Sequence, residues 1–190
     1  MLLRRLTIFA IDPGISTGWA RGSLDLVEFR KIGGDVERLV ESGAMSWEAG
    51  EDLALSGDPY RMDRHELYAA ERASAARLWG LMEGGPGTGA NLGDLASPAD
   101  RLVIEDFTVY GGKANEVSAG GAVPLAPVRV GSMLAFAAEL AVMDVTYQMA
   151  SMAKTTVTNE RLKRWGLWTK GSEHARDATR HLVTYVRRLA

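Results

Sequence analysis

One stretch near the start constrains what this chain can fold into. Leu6-Thr7-Ile8-Phe9-Ala10-Ile11 is an apolar run of strand-forming residues that stops at a carboxylate, Asp12, then breaks at Pro13-Gly14 before a second short strand near Gly18. A buried strand that ends in Asp and turns on glycine projects that Asp from the edge of a sheet. There it can bind a metal, and the small turn residues let a phosphate approach. Asp ahead of Pro-Gly is also ordinary turn chemistry, so Asp12 can equally be read as a turn cap and no more.

The other elements are read outward from this strand. Residues 18–23 are expected to form its hairpin partner, and Leu26-Val27-Glu28-Phe29-Arg30 a third strand of a meander. Residues 33–60 hold seven acids and one base and read as an exposed acidic insertion without chemistry of its own. Asp63 to about Glu83 has helical periodicity, with Leu67, Ala70, Ala73, Leu78 and Leu81 on the apolar side. The Gly-rich loop at 84–93 lacks the Lys-Ser/Thr ending of a nucleotide-binding loop and reads as a linker.

Leu102-Val103-Ile104-Glu105-Asp106-Phe107 repeats the opening signal, an apolar run closing on acids. Acids are depleted in strands, and a buried one needs a partner or a cation. A loop carrying Tyr110 and Lys113 follows, then an Ala-rich helix over about 128–142, a last strand over 144–149 and a capped basic helix from Thr158 to Arg164.

The last helix is expected to open at Ser172, a good N-cap. Ala175, Ala178, Leu182, Tyr185 and Leu189 form its apolar stripe, while His174, Asp177 and His181 share a neighbouring face at i, i+3 and i+7. His174 and Asp177 are one turn apart and suit a metal-ligand pair; His181 is read as standing behind the ligands or at the surface. From Lys154 onward nine Lys and Arg face three acids, although the whole chain carries −2. A basic terminal segment on an acidic body suits a polyanion-binding face as well as a solvated helix.

Asp12, Glu105 and Asp177 thus need a common explanation. Adjacent parallel strands can set Asp12 and Glu105 side by side, which without compensation is repulsive and raises one carboxyl's pKa. Two Mg²⁺ ions remove the repulsion, because hard oxygen ligands suit Mg²⁺ and leave positions for water and phosphate. A pair about 4 Å apart can activate water and stabilise the leaving oxygen of a phosphodiester.

Ile11-Asp12-Pro13-Gly14-Ile15-Ser16-Thr17-Gly18-Trp19-Ala20, then Val103-Ile104-Glu105-Asp106-Phe107, then Ser172-Glu173-His174-Ala175-Arg176-Asp177-Ala178 resemble in order the motifs of RuvC-type Holliday junction resolvases, of the RNase H-like superfamily. The resemblance is nearest to versions encoded by phages of actinobacteria and spans most of the chain. It implies an α/β fold, a five-stranded mixed sheet flanked by helices, and a homodimer that nicks four-way junctions symmetrically. It also implies a site of two Mg²⁺ ions, for which Mn²⁺ is expected to substitute. Asp12, Glu105, His174 and Asp177 correspond to metal ligands, and Lys154 is expected near the scissile phosphate. Phe107, or Tyr110 in its place, corresponds to an aromatic wedge. Lys113, Arg176 and Arg180 are expected to touch DNA. The acidic insertion and the Gly-rich loop depart from the family pattern and bear on dimer geometry and sequence preference.

Two other readings were set beside this one. An ATPase of the actin, heat-shock and sugar-kinase type has a similar first phosphate turn, but needs a second lobe for which 190 residues leave no room. A branched-DNA binder without catalysis would gain nothing from burying three acids together. A less selective flap or branch endonuclease stays open. The expectation is one domain over residues 1–190, with no disulfide or cysteine nucleophile because there is no cysteine. No apolar run approaches the roughly 20 residues of a membrane span, and the start lacks a signal peptide's apolar region. A cytoplasmic location, the host's if phage-encoded, is the expectation.

Overall fold

The computed structural model describes residues 5–14, 16–52, 62–84, 98–106 and 125–190. Five strands form one sheet in the order β3-β2-β1-β4-β5. They are β1 Arg5–Asp12, β2 Thr17–Asp25, β3 Met45–Asp52, β4 Arg101–Asp106 and β5 Asp144–Met149. β1, β2 and β3 pair antiparallel, whereas β4 lies parallel to β1 and β5 parallel to β4. Helices cover both faces: α1 Leu26–Ile32, α2 Val36–Glu41, α3 Arg64–Met82, α4 Ala126–Leu140, α5 Ala150–Thr156, α6 Asn159–Arg164 and α7 Glu173–Arg188. The five-stranded mixed sheet flanked by helices is therefore the architecture found.

Alternation along the strands sorts the core into two layers. Leu6, Ile8 and Ala10 of β1 with Val103 of β4 pack beneath α7, against Ala178, Leu182 and Val186. Phe9 and Ile11 with Leu102 and Ile104 point the other way, into α3 and α4 through Leu78, Met82, Val130 and Leu134. A third cluster lies outside α7, where Val183 meets Val36, Val157, Leu162, Trp165 and Leu167. The last helix is thus sandwiched, which is why even its Thr179, His181 and Thr184 are buried.

Two expected elements differ. Residues 26–30 are not a strand: the Asp25 side chain accepts from the Val27 and Glu28 amides and starts a helix there. The third strand of the meander is instead β3, paired to β2 along its whole length from Thr17↔Asp52 to Leu24↔Met45. The part of 33–60 described up to Asp52 is accordingly no structureless insertion; Val36, Leu39 and Met45 are core residues. The long helix starts at the Asp63 capping box, as its sequence suggested, but buries Leu67, Glu71, Ser74, Leu78 and Met82 instead of the Ala70–Ala73 row. Leu189 caps α7 and is exposed, so the predicted stripe ends at a half-buried Tyr185. Beyond Gly84, the Gly-rich loop at 84–93 lies outside the described residues, as do Phe107, Tyr110 and Lys113. Among the described residues no helix is long and apolar enough to cross a membrane.

Candidate active site

The register decides where the first two acids meet. Ile11 of β1 pairs with Ile104 of β4, so one step on, at the carboxyl ends of parallel strands, Asp12 and Glu105 are neighbours. Both follow the parity of Ala10 and Val103 and point to the face that α7 covers. Crevices at such strand ends are where open α/β sheets bind ligands.

The N-terminal half of α7 lies across this edge because two glycines admit it. A Cβ on Gly18 would fall 2.0 Å from the His174 carbonyl group, and one on Gly14 would come 3.2 Å from the His174 ring. With the helix this close, His174 Nδ1 is 2.8 Å from Asp12 Oδ2. Asp177, one turn on, is bound by the Lys154 ammonium at 2.9 Å and by the Arg180 guanidinium. One turn further, His181 Nε2 is 3.0 Å from Glu105 Oε2. The acids from the beginning, middle and end of the chain are thus gathered at one sheet edge, threaded by cationic and imidazole groups.

The electrostatics report the crowding. Burial pushes Asp12 up to about 6; the Glu105 and Asp177 charges add to this and His174 offsets part of it. His174 is raised, chiefly by its bond to Asp12, so the pair clings to its proton. Burial alone would raise Glu105, but its bond and electrostatic interaction with His181, its bond with Asp12 and the Lys154 charge together hold it below its ordinary value. Lys154 is raised first by its bond to Asp177 and then by the charges of all three acids.

Four oxygen and nitrogen donor residues, Asp12, Glu105, Asp177 and His174, are available for a cation. As they stand, each is turned to an internal partner, and among the described residues no three His, Asp or Glu are gathered around one metal position. The donor chemistry nevertheless fits a hard divalent ion. Three mutually repelling acids, one of them held up near 6, are the charge that such an ion offsets. Loading it requires the His174–Asp12 and Lys154–Asp177 contacts to open.

Arg180 is 8% exposed and donates to the Val157 carbonyl, Asn159 and Asp177, so it braces the turn between α5 and α6. Arg176 is half-buried; its guanidinium lies 4.8 Å from the Trp168 ring, which Lys163 approaches at 4.7 Å. His181 is not at the surface but 1% exposed behind Glu105. Gln148, the β5 partner of Glu105, is a buried polar neighbour that the sequence reading passed over. Its strand alternation, read from the Glu105 register, is the signal that marks it. A cleft of about 120 Å³ opens beside Glu105, lined by Asp106, Ser132 and Tyr147 among others.

No family model matches the chain, and no curated protein matches its sequence. Solved structures do match its fold. Thermus thermophilus RuvC is similar with a TM-score of 0.57 at 12% identity, over 97% of this chain and 95% of that one. T. thermophilus RuvC in complex with a Holliday junction substrate is similar with a TM-score of 0.55 at 12% identity, over 97% of this chain and 94% of that one. The fold is that of RuvC, and with it RNase H-like.

Proposed function

We propose that the chain is a metal-dependent, structure-selective DNA endonuclease that resolves Holliday junctions or other branched DNA by phosphodiester hydrolysis. The observation that carries this reading is the meeting of Asp12, Glu105 and Asp177 at the carboxyl ends of β1 and β4 beneath α7. The RuvC fold supports the substrate class. Asp12, Glu105, Asp177 and His174 would hold the metal. Two Mg²⁺ ions, or Mn²⁺, when bound supply a water acidic enough to attack and a counter-charge for the leaving oxygen.

The chain's own groups do the rest. His174 Nδ1 lies 2.8 Å from Asp12 Oδ2, and this contact must open before Asp12 can offer that oxygen to a cation. The Lys154 ammonium, half-exposed beside Asp177, is free to turn to a substrate phosphate once that acid is engaged elsewhere. Arg180 fixes Asp177 and the turn after Lys154 together, and is a positioning residue. Arg176, with Lys163 and Trp168, forms a basic aromatic face for the DNA backbone. Phe107 or Tyr110 as wedge and Lys113 as backbone contact belong to the same proposal, as do a homodimer and a cytoplasmic location.

A second reading, a branched-DNA binder without catalysis, draws on one observation: every acid already has an internal partner. One experiment separates the two. Labelled four-way, flap and linear DNA are incubated with the wild type and Asp12→Asn, in Mg²⁺ and in EDTA. The nuclease cuts four-way DNA only with Mg²⁺, and Asp12→Asn loses at least 10³-fold in rate while binding junctions near-normally; loss of one ligand of a catalytic ion justifies a magnitude of about that order. Binding without cutting in Mg²⁺ or Mn²⁺ selects the binder.

A further inference from the structure

Glu105 is gripped from behind by one side chain that the proposed reaction does not use, and that side chain is held in turn by a second. His181, 1% exposed, brings Nε2 within 3.0 Å of Glu105 Oε2. Its Nδ1 is 3.3 Å from Oε1 of Gln148, also 1% exposed. Glu105 and Gln148 are register partners across β4 and β5, so the imidazole spans the pair.

The polar inventory of this chain of contacts is uneven. A carboxylate only accepts, so the ring must donate from Nε2; with one ring proton, Nδ1 is then an acceptor and requires a donor. Oε1 is no donor, and Gln148 Nε2 is buried without a hydrogen-bond partner. A half-turn of the amide, whose oxygen and nitrogen are alike in shape, aims Nε2–H at Nδ1 and makes one directional series. Gln148 donates to His181, and His181 donates to Glu105.

We propose that His181 is a positioning residue for Glu105, set by Gln148 in its Nε2–H tautomer. It pins one carboxylate oxygen and leaves the other for a cation beside Asp12. The imidazole holds the carboxylate from behind at a single oxygen, whereas Asp177 is held by an ammonium and a guanidinium. The inference rests on Glu105 being a metal ligand, as proposed above.

The test combines two measurements on wild type, His181→Leu, His181→Gln and Gln148→Leu. Long-range ¹H–¹⁵N spectra at pH 8 give the tautomer of the His181 ring, identified by its loss in the variants. Calorimetric titration with Mg²⁺ gives affinity, and melting in EDTA checks that each variant is folded. The wild-type ring is expected to be protonated on Nε2 alone. His181→Leu should bind Mg²⁺ roughly 10- to 100-fold more weakly, the usual effect of losing a residue that orients a ligand. His181→Gln, whose amide N–H reaches the Nε2 position, should recover most of it. Should His181→Leu fail to fold, the wild-type tautomer and the His181→Gln and Gln148→Leu affinities decide. A ring protonated on Nδ1, or unchanged Mg²⁺ affinity in the folded variants, overturns the inference alone. A wild type that binds no Mg²⁺ overturns the metal reading and takes the inference with it.

Discussion

Asp12 is burdened by burial and by two neighbouring acids, and His174 offsets only part of this. Its carboxyl moves from 3.8 to about 6 on folding, so the folded chain holds a proton there that the unfolded chain has lost. The cost of ionising it is absent below pH 4, grows as pH climbs toward 6 and is then complete. His174, also raised, contributes stability that is full below its unfolded 6.5 and lost as pH rises through its folded value. Both slopes have the same sign. Glu105, held low, acts only as pH falls below its ordinary value, and the raised Lys154 acts only in alkali. Between pH 5 and 8 the metal-free protein should therefore lose stability at this site, by on the order of 1 kcal/mol for Asp12, the rest of its shift having been lost already below pH 5. Melting in EDTA across that range checks it: the wild type should fall relative to Asp12→Asn as pH rises, and added Mg²⁺ should restore it. A difference that does not change with pH would show that no proton is held there.

At the scale of elements, α3 and α4 are joined on the far face of the sheet by a buried ion pair. Glu71 is 1% exposed, and Arg129 Nε donates to its Oε2 at 2.6 Å while the guanidinium lies 5.0 Å from the Tyr68 ring. Arg129→Ala leaves a buried carboxylate without its guanidinium and should cost about 3 kcal/mol in urea unfolding, whereas replacing both residues by Leu should recover most of that. Glu71 also explains why this face was misread. The buried row Leu67, Glu71, Ser74, Leu78, Met82 keeps a strict helical spacing, but its two polar members hide it from a search for apolar residues. The strands β1, β4 and β5 were legible because long apolar runs or alternation mark them, and the first two stop at acids. β3 was not: Met45, Trp47 and Ala49 do alternate toward the α7 side, yet the acids between them read as solvent-exposed loop. In α1, five residues fit period two as well as a helix, and the Asp25 cap decides. The three acids were legible as strand-end and helix-face carboxylates. The burial of Arg180 was not, because it depends on the α5–α6 turn packing over α7, and that of His181 was not, because it depends on Glu105 and Gln148 at the facing strand ends.

At the scale of the molecule, α4 is apolar on two sides. Its inner row, Val130, Leu134 and Ala138, fills the core, while Val128, Phe136 and Leu140 lie on the outer side, with Phe136 64% and Leu140 70% exposed. Tyr147 on the edge strand β5 extends this surface. A helix with apolar residues on its outer side as well as its inner one is suited to being covered on both, and an exposed apolar patch marks an interaction site. A second copy of the chain is the occupant that the proposed activity calls for, because two matching strands of a four-way junction must be nicked together and each chain gathers one set of acids. Across a two-fold axis the same stripe would meet itself, which apolar side chains permit and like charges do not. Phe136→Glu with Leu140→Glu places like charges on that axis and leaves the inner row intact. Sedimentation should then find a dimer for the wild type and a monomer for the double variant, with unfolding changed by less than about 1 kcal/mol since both residues are exposed. On labelled junctions the monomer should nick one strand at a time and release few paired products, although each active site is untouched. Unchanged sedimentation would mean that this stripe is not where the copies meet, and paired nicking by a proven monomer would remove the need for a dimer.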